Sequence, residues 1–96
     1  MSKYSEEQLK EIEQYAGLCF TPAETATILG IAPNEFLNDY NNVQEVAQAY
    51  KRGMLLTEAQ VRKATIDLAK GGSSAAYADY QRIARYRDLE MKKAQQ

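Results

Sequence analysis

The chain has 96 residues, 45% hydrophobic and 26% charged, with a net charge of −1, which excludes a disordered or fibrous protein and bounds it to one domain or one domain with an appendage. Histidine and tryptophan are absent, removing the commonest general base and metal ligand. The single Cys19 makes no internal disulfide, no run approaches the roughly 18 apolar residues of a membrane span, and Met1–Lys10 lacks a signal-peptide core, so a cytoplasmic location is expected.

In chain order, Ser5-Glu6-Glu7-Gln8 is a capping-box pattern, with a hydroxyl for the exposed amides and a Gln reaching back. Leu9, Ile12, Ala16 and Cys19 or Phe20 recur at helical spacing, predicting a first helix over 6–18 that places Cys19 on its apolar face and stops near Gly17. Thr21-Pro22-Ala23-Glu24 is the sharpest start signal: Thr caps, Pro occupies the first turn, and Glu closes the box. Gly30 ends that helix, and Pro33 opens a third, with Phe36, Leu37 and Tyr40 apolar and Ala32 a poor cap. Asn41-Asn42 breaks the pattern. Val43, Val46, Ala47, Tyr50 and Met54 then form a stripe that resumes through Val61, Ala64, Ile66, Leu68 and Ala69. Two readings compete at Gly53. One long helix over 43–70 tolerates it at roughly 1 kcal/mol, and this reading is preferred; alternatively Thr57-Glu58-Ala59-Gln60 restarts a new helix. Gly71-Gly72-Ser73 stops and restarts the chain into a last helix over 74–92, with Ala76, Tyr80, Ile83, Ala84 and Leu89 turned inward or toward a partner. No stretch alternates with the period of a strand.

The expected fold is therefore all-α: an N-terminal helix-turn-helix of three short helices (1–42), followed by a long-helix antiparallel hairpin (43–96). The helix-turn-helix rests on Ala26, small where the second helix approaches, Gly30 at the turn, Leu29 and Ile31 beside it, and Phe36 from the second helix. Asp39 departs from the pattern, since a third apolar contact is expected there, with Leu37 or Tyr40 as substitutes.

Beyond this motif come Val46-Ala47-Gln48-Ala49-Tyr50-Lys51-Arg52-Gly53, then Leu56 through Val61-Arg62-Lys63 into Leu68-Ala69-Lys70-Gly71-Gly72-Ser73-Ser74. In this order the chain, over roughly 8–85, resembles the small terminase subunits of tailed phages and related prophage proteins. The resemblance implies DNA recognition by the N-terminal motif, ring assembly through the helical hairpin, and delivery of DNA to a large terminase subunit. Members of that family are usually longer, with a C-terminal segment for the large subunit, a role left here to the short tail after Arg87.

Charge bears on that expectation. Residues 11–50 contain no Lys or Arg against Glu11, Glu13, Glu24, Glu35, Asp39 and Glu45, while 51–96 carry ten basic residues against five acidic. An acidic half joined to a basic half can pair head to tail with copies of itself; two ordinary solvated faces is the plain alternative. If the recognition helix meets DNA, Asn34, Asn38 and Asn41 are the candidates for it and Lys51 and Arg52 for phosphates. Its two carboxylates oppose that role, leaving open a motif that binds a protein partner instead. Arg82, Arg85 and Arg87 among Tyr80 and Tyr86 form a second basic surface, for bases and phosphates or as solvated partners of Asp79, Asp88 and Glu90. Tyr50, Met54, Val61, Tyr77, Tyr80 and Ile83 are the expected contacts of a homo-oligomer. No nucleophile–base pair, phosphate loop or metal-ligand spacing is visible, so neither catalysis nor a cofactor is expected, and no membrane partner.

Overall fold

The computed structural model describes residues 3–95. Every regular element among them is an α-helix: α1 (Glu6–Gly17), α2 (Pro22–Leu29), α3 (Pro33–Asn42), α4 (Gln44–Lys70) and α5 (Ser74–Ala94). The boundaries follow local chemistry. Ser5 and Thr21 each close a reciprocal capping box, with Gln8 and Glu24 returning to the cap amides, which satisfies donors that a bare helix end leaves open. Gly30 is left-handed at φ 76°. The Ile31 amide thereby reaches Ala26 O at 2.9 Å, closing the turn before α3. Ala32 makes no side-chain cap, and Pro33 alone marks that start.

Two compact units divide the chain, residues 1–58 and 59–96. The first extends past the expected boundary at 42, because the start of α4 completes its core. Tyr4, Ile12, Ala16, Ala26, Phe36, Val46, Ala49 and Tyr50 are buried together, with Leu9, Leu29, Ile31, Tyr40 and Val43 packed around them. Aromatic pairs meet edge to face, Tyr4 on Phe36 at 6.4 Å and Tyr40 on Tyr50 at 5.8 Å, an arrangement favoured by ring quadrupoles. Tyr50 was expected on an oligomer surface. It lies instead in this core, its hydroxyl donating to the Phe20 carbonyl and its pKa raised by burial.

Helix α4 is continuous through Gly53, and the glycine has a packing reason. A methyl placed on it would lie 2.0 Å from the Glu13 carbonyl oxygen of α1, so the two helices cross main chain to main chain. Gly17 serves the same crossing: a Cβ there would come within 2.7 Å of Thr57 Oγ1 and 3.1 Å of Gly53 O. It is also the last residue of α1, which stops there as expected. The left-handed turn falls instead on Cys19, at φ 70°, so this residue is exposed in the connection and not on an apolar helix face.

In the second unit α4 ends at the Gly71-Gly72 turn, where the Ser73 amide reaches Leu68 O at 3.1 Å, and Ser73 caps α5 through the Ala76 amide. Ile66, Ala69, Lys70, Tyr77 and Tyr80 line a cleft of about 280 Å³. Ala76 is buried, Ile83 and Ala84 are half-buried, and Val61, Leu68, Tyr77 and Leu89 are open to solvent.

Replacing Gly53 by alanine should lower stability by about 2 kcal/mol, because overpacking against main chain outweighs the roughly 1 kcal/mol that alanine gains within a helix. Urea denaturation followed by far-ultraviolet circular dichroism measures this. An unchanged or raised midpoint would contradict the close crossing.

Candidate nucleic-acid interface

Helix α3 divides its residues between a buried and an open side. Phe36 and Asp39 are buried, whereas Asn34, Leu37, Asn38 and Asn41 are exposed. Asn34, Asn38 and Asn41 stand at i, i+4 and i+7 and so share one face. The Asn42 Nδ2 donates to the Asn38 carbonyl at 2.8 Å and to Asn38 Oδ1 at 3.0 Å. That orients the Asn38 amide with its Nδ2 hydrogens directed away from the contact.

The carboxylates of α3 are handled from outside the helix. Asp39 is 4% exposed, and a buried charge is costly unless it is paired and hydrogen-bonded. Tyr4 Oη donates to its Oδ2 at 2.6 Å, while Lys3 Nζ lies 3.1 Å from Oδ1 and 2.9 Å from Oδ2. Lys3 Nζ is also 3.1 Å from Glu35 Oε1. The Tyr4 and Lys3 hydrogen bonds hold the Asp39 carboxyl below the usual carboxylate range. Those from Asp39 and Glu35 raise Lys3; burial, then the Asp39 bond, pushes the Tyr4 phenol up strongly. The position expected to supply a third apolar contact thus supplies an anchored anion. Lys3 and Tyr4, ahead of every predicted helix, went unread as partners of α3; Asp39's breach of an otherwise apolar pattern was the available signal.

The expected phosphate contacts lie elsewhere on the first unit. Arg52 Nε is 3.4 Å from Glu13 Oε1 of α1. Lys51 and Arg52 line a shallow cleft with Gln48, Leu55 and Leu56, which none of the α3 asparagines joins. The three asparagines are therefore brought together on one face, and the two cations on another element. Of the residues expected at an oligomer contact, Met54, Val61 and Tyr77 are 47%, 56% and 52% exposed, whereas Tyr80 and Ile83 are half-buried.

No protein family, characterised protein or solved structure compared with this chain matches it. Among the described residues no helix is long and apolar enough to cross a membrane, and no group of three or more Cys, Asp and Glu side chains is placed to hold a metal ion.

The cluster around Asp39 gives stability a pH profile. Asp39 titrates lower in the folded chain than in the unfolded one, so its contribution is full above the unfolded value near pH 4 and is lost as pH falls through the folded value. Lys3 and Tyr4 are raised, so theirs is full below about pH 10 and is lost in stronger alkali. At pH 7 Asp39→Asn should cost about 1–3 kcal/mol, the scale of a hydrogen bond to a charged group. The gap to the parent chain should narrow below pH 4 in denaturation curves. A constant gap from pH 7 to pH 3 would refute the pairing.

Proposed function

We propose that this is a non-catalytic, DNA-binding protein of small-terminase character, in which α2 and α3 act as a helix-turn-helix and the chain works as an assembly of several copies. The observation that carries the reading is the neutral amide face of α3. Asn34, Asn38 and Asn41 are open to solvent at helical spacing, while Asp39 is buried and Glu35 is paired with Lys3. An asparagine offers a donor and an acceptor to an adenine edge in the major groove. The left-handed Gly30 and the Ile31–Ala26 hydrogen bond support the turn such a motif requires.

Affinity is a separate matter. Phosphate neutralisation supplies most of it, and each first unit brings only Lys3, Lys10, Lys51 and Arg52, with Lys3 and Arg52 already engaged by carboxylates. A single copy then binds weakly, and several copies on one duplex add their contacts through high local concentration. The exposed Met54, Val61, Leu68 and Tyr77 favour assembly, with the helical hairpin of α4 and α5 as its means. A large terminase subunit is the partner that the family resemblance suggests, and cytoplasm the compartment.

A second reading, in which the motif binds a protein, is favoured by the net acidity of residues 11–50 and by the exposed Ile28 and Leu37 on α2 and α3.

Gel shifts with duplex DNA at about 50 and 200 mM salt separate the two. On the DNA reading, binding is salt-sensitive, Asn34→Ala with Asn38→Ala weakens it about tenfold or more, on the scale of 1–3 kcal/mol per base contact, and Lys51→Gln with Arg52→Gln flattens the salt slope. No shift at the lower salt, or a shift indifferent to all four changes, would favour the protein-binding reading.

A further inference from the structure

The second unit leaves its apolar side chains uncovered. Val61, Leu68, Tyr77, Tyr86 and Leu89 are each more than half exposed, and Ala76 is its one buried hydrophobic residue among those described. A unit of 38 residues (59–96) without an interior falls below the size that folds unaided; disulfides, metals or a partner chain usually make up the deficit. It contains no Cys and no His. A partner chain is the remaining source.

Charge favours one kind of partner. Residues 1–58 carry nine acidic against four basic side chains, and residues 59–96 four acidic against eight basic, so the units are charged −5 and +4. Two second units brought face to face would set +4 against +4. A second unit against the first unit of another copy sets +4 against −5. The side chains follow the same division. On α5, Arg82, Arg85, Leu89 and Lys92 fall at i, i+3, i+7 and i+10, one face of the helix. Arg82 is bound to Asp79, while Arg85 and Lys92 have no acidic partner among the described residues. On α1, Glu7, Glu11 and Gln14, with Leu18 just past the helix end, also share a face, flanked by Lys10. Leu18 is 61% exposed, and neither Glu7 nor Glu11 has a basic partner among the described residues.

We propose that the second unit of one copy docks on the α1 face of the first unit of another copy, Arg85 and Lys92 meeting Glu7 and Glu11, so that copies join head to tail. The contact is heterologous, and such contacts close into rings or run on as filaments rather than stopping at a pair. This inference rests on the self-assembly in the reading above and is independent of DNA binding.

A charge swap tests it. Light scattering on the full chain at low salt is expected to give a mass several-fold above the monomer, falling as salt screens the contact over about 10 Å. Glu7→Lys with Glu11→Lys, and separately Arg85→Glu with Lys92→Glu, should each yield monomer with the helical circular dichroism retained. Mixing the two variants should restore the large species, since each then offers the face that the other lacks. Restoration also establishes that both variants are folded. A monomeric parent chain, an assembly indifferent to salt, reversed variants that assemble like the parent, or a mixture that stays monomeric would each overturn the proposal. Assembly that survives in a chain unable to shift DNA would overturn the DNA reading and leave this one standing.

Discussion

The first unit depends on one crossing of main chains. At Gly53 there is no room for a side chain against the Glu13 carbonyl. That approach brings Val46, Ala49 and Tyr50 of α4 into a core otherwise built from α1, α2 and α3. The Tyr50 hydroxyl then holds the Phe20 carbonyl, fastening the connection in which Cys19 takes its left-handed conformation. A larger residue at 53 would separate the helices and expose the aromatic contacts between Tyr40 and Tyr50. Glycine here is less a flaw in a long helix than the condition for its docking.

The sequence was legible where structure is local. Both capping boxes, the proline starts at 22 and 33, the left-handed Gly30 and the Gly71-Gly72 turn are decided within a few residues, and helix ends follow such chemistry. All-helical character followed from the same signals. What escaped was long-range. Gly53 and Glu13 are 40 positions apart, and no pattern within α4 announces a neighbour that near. Tyr50 has the look of an interface residue, an apolar body with a polar tip, and those properties equally suit a buried ring with a carbonyl partner. Cys19 matched an apolar spacing that continued beyond the true helix end at Gly17.

The electrostatics of α3 show why charge counted along a chain misleads. Residues 11–50 lack any cation, and on that count Glu35 and Asp39 burden any surface α3 offers. Space arranges them otherwise. Lys3 returns from the start of the chain to sit between both carboxylates, and Tyr4 completes the coordination of the buried one. The field near α3 is set by distances of about 3 Å, over which a partly buried pair interacts strongly and escapes most screening by salt. The open face that results carries three amides, with the exposed Glu35 beside them held by Lys3. Amides discriminate between hydrogen-bonding partners and attract phosphate little. On the DNA-binding reading proposed above, such a helix selects without binding tightly, and tightness has to come from several copies acting together.

That requirement meets the character of the second unit. An apolar side chain such as Val61, Leu68 or Leu89 gains about 1.5–3 kcal/mol on passing fully from water into an interior. Exposed pairs within one helix, like Lys63–Asp67 and Arg82–Asp79, sit in water and contribute little. The strength of any assembly must therefore come from covering the apolar residues, and the ion pairs within the helices cannot replace it. Strength alone does not choose an orientation, since apolar faces join in many ways. In the proposed head-to-tail contact the opposed charges of the two units choose, because they penalise like against like and reward a basic second unit against an acidic first. In the proposed assembly apolar burial supplies most of the strength, while the −5 and +4 division decides which face meets which and makes the contact sensitive to salt and to charge reversal. A chain with its charges spread evenly could associate as firmly, but it would have no preferred direction along which to add the next copy.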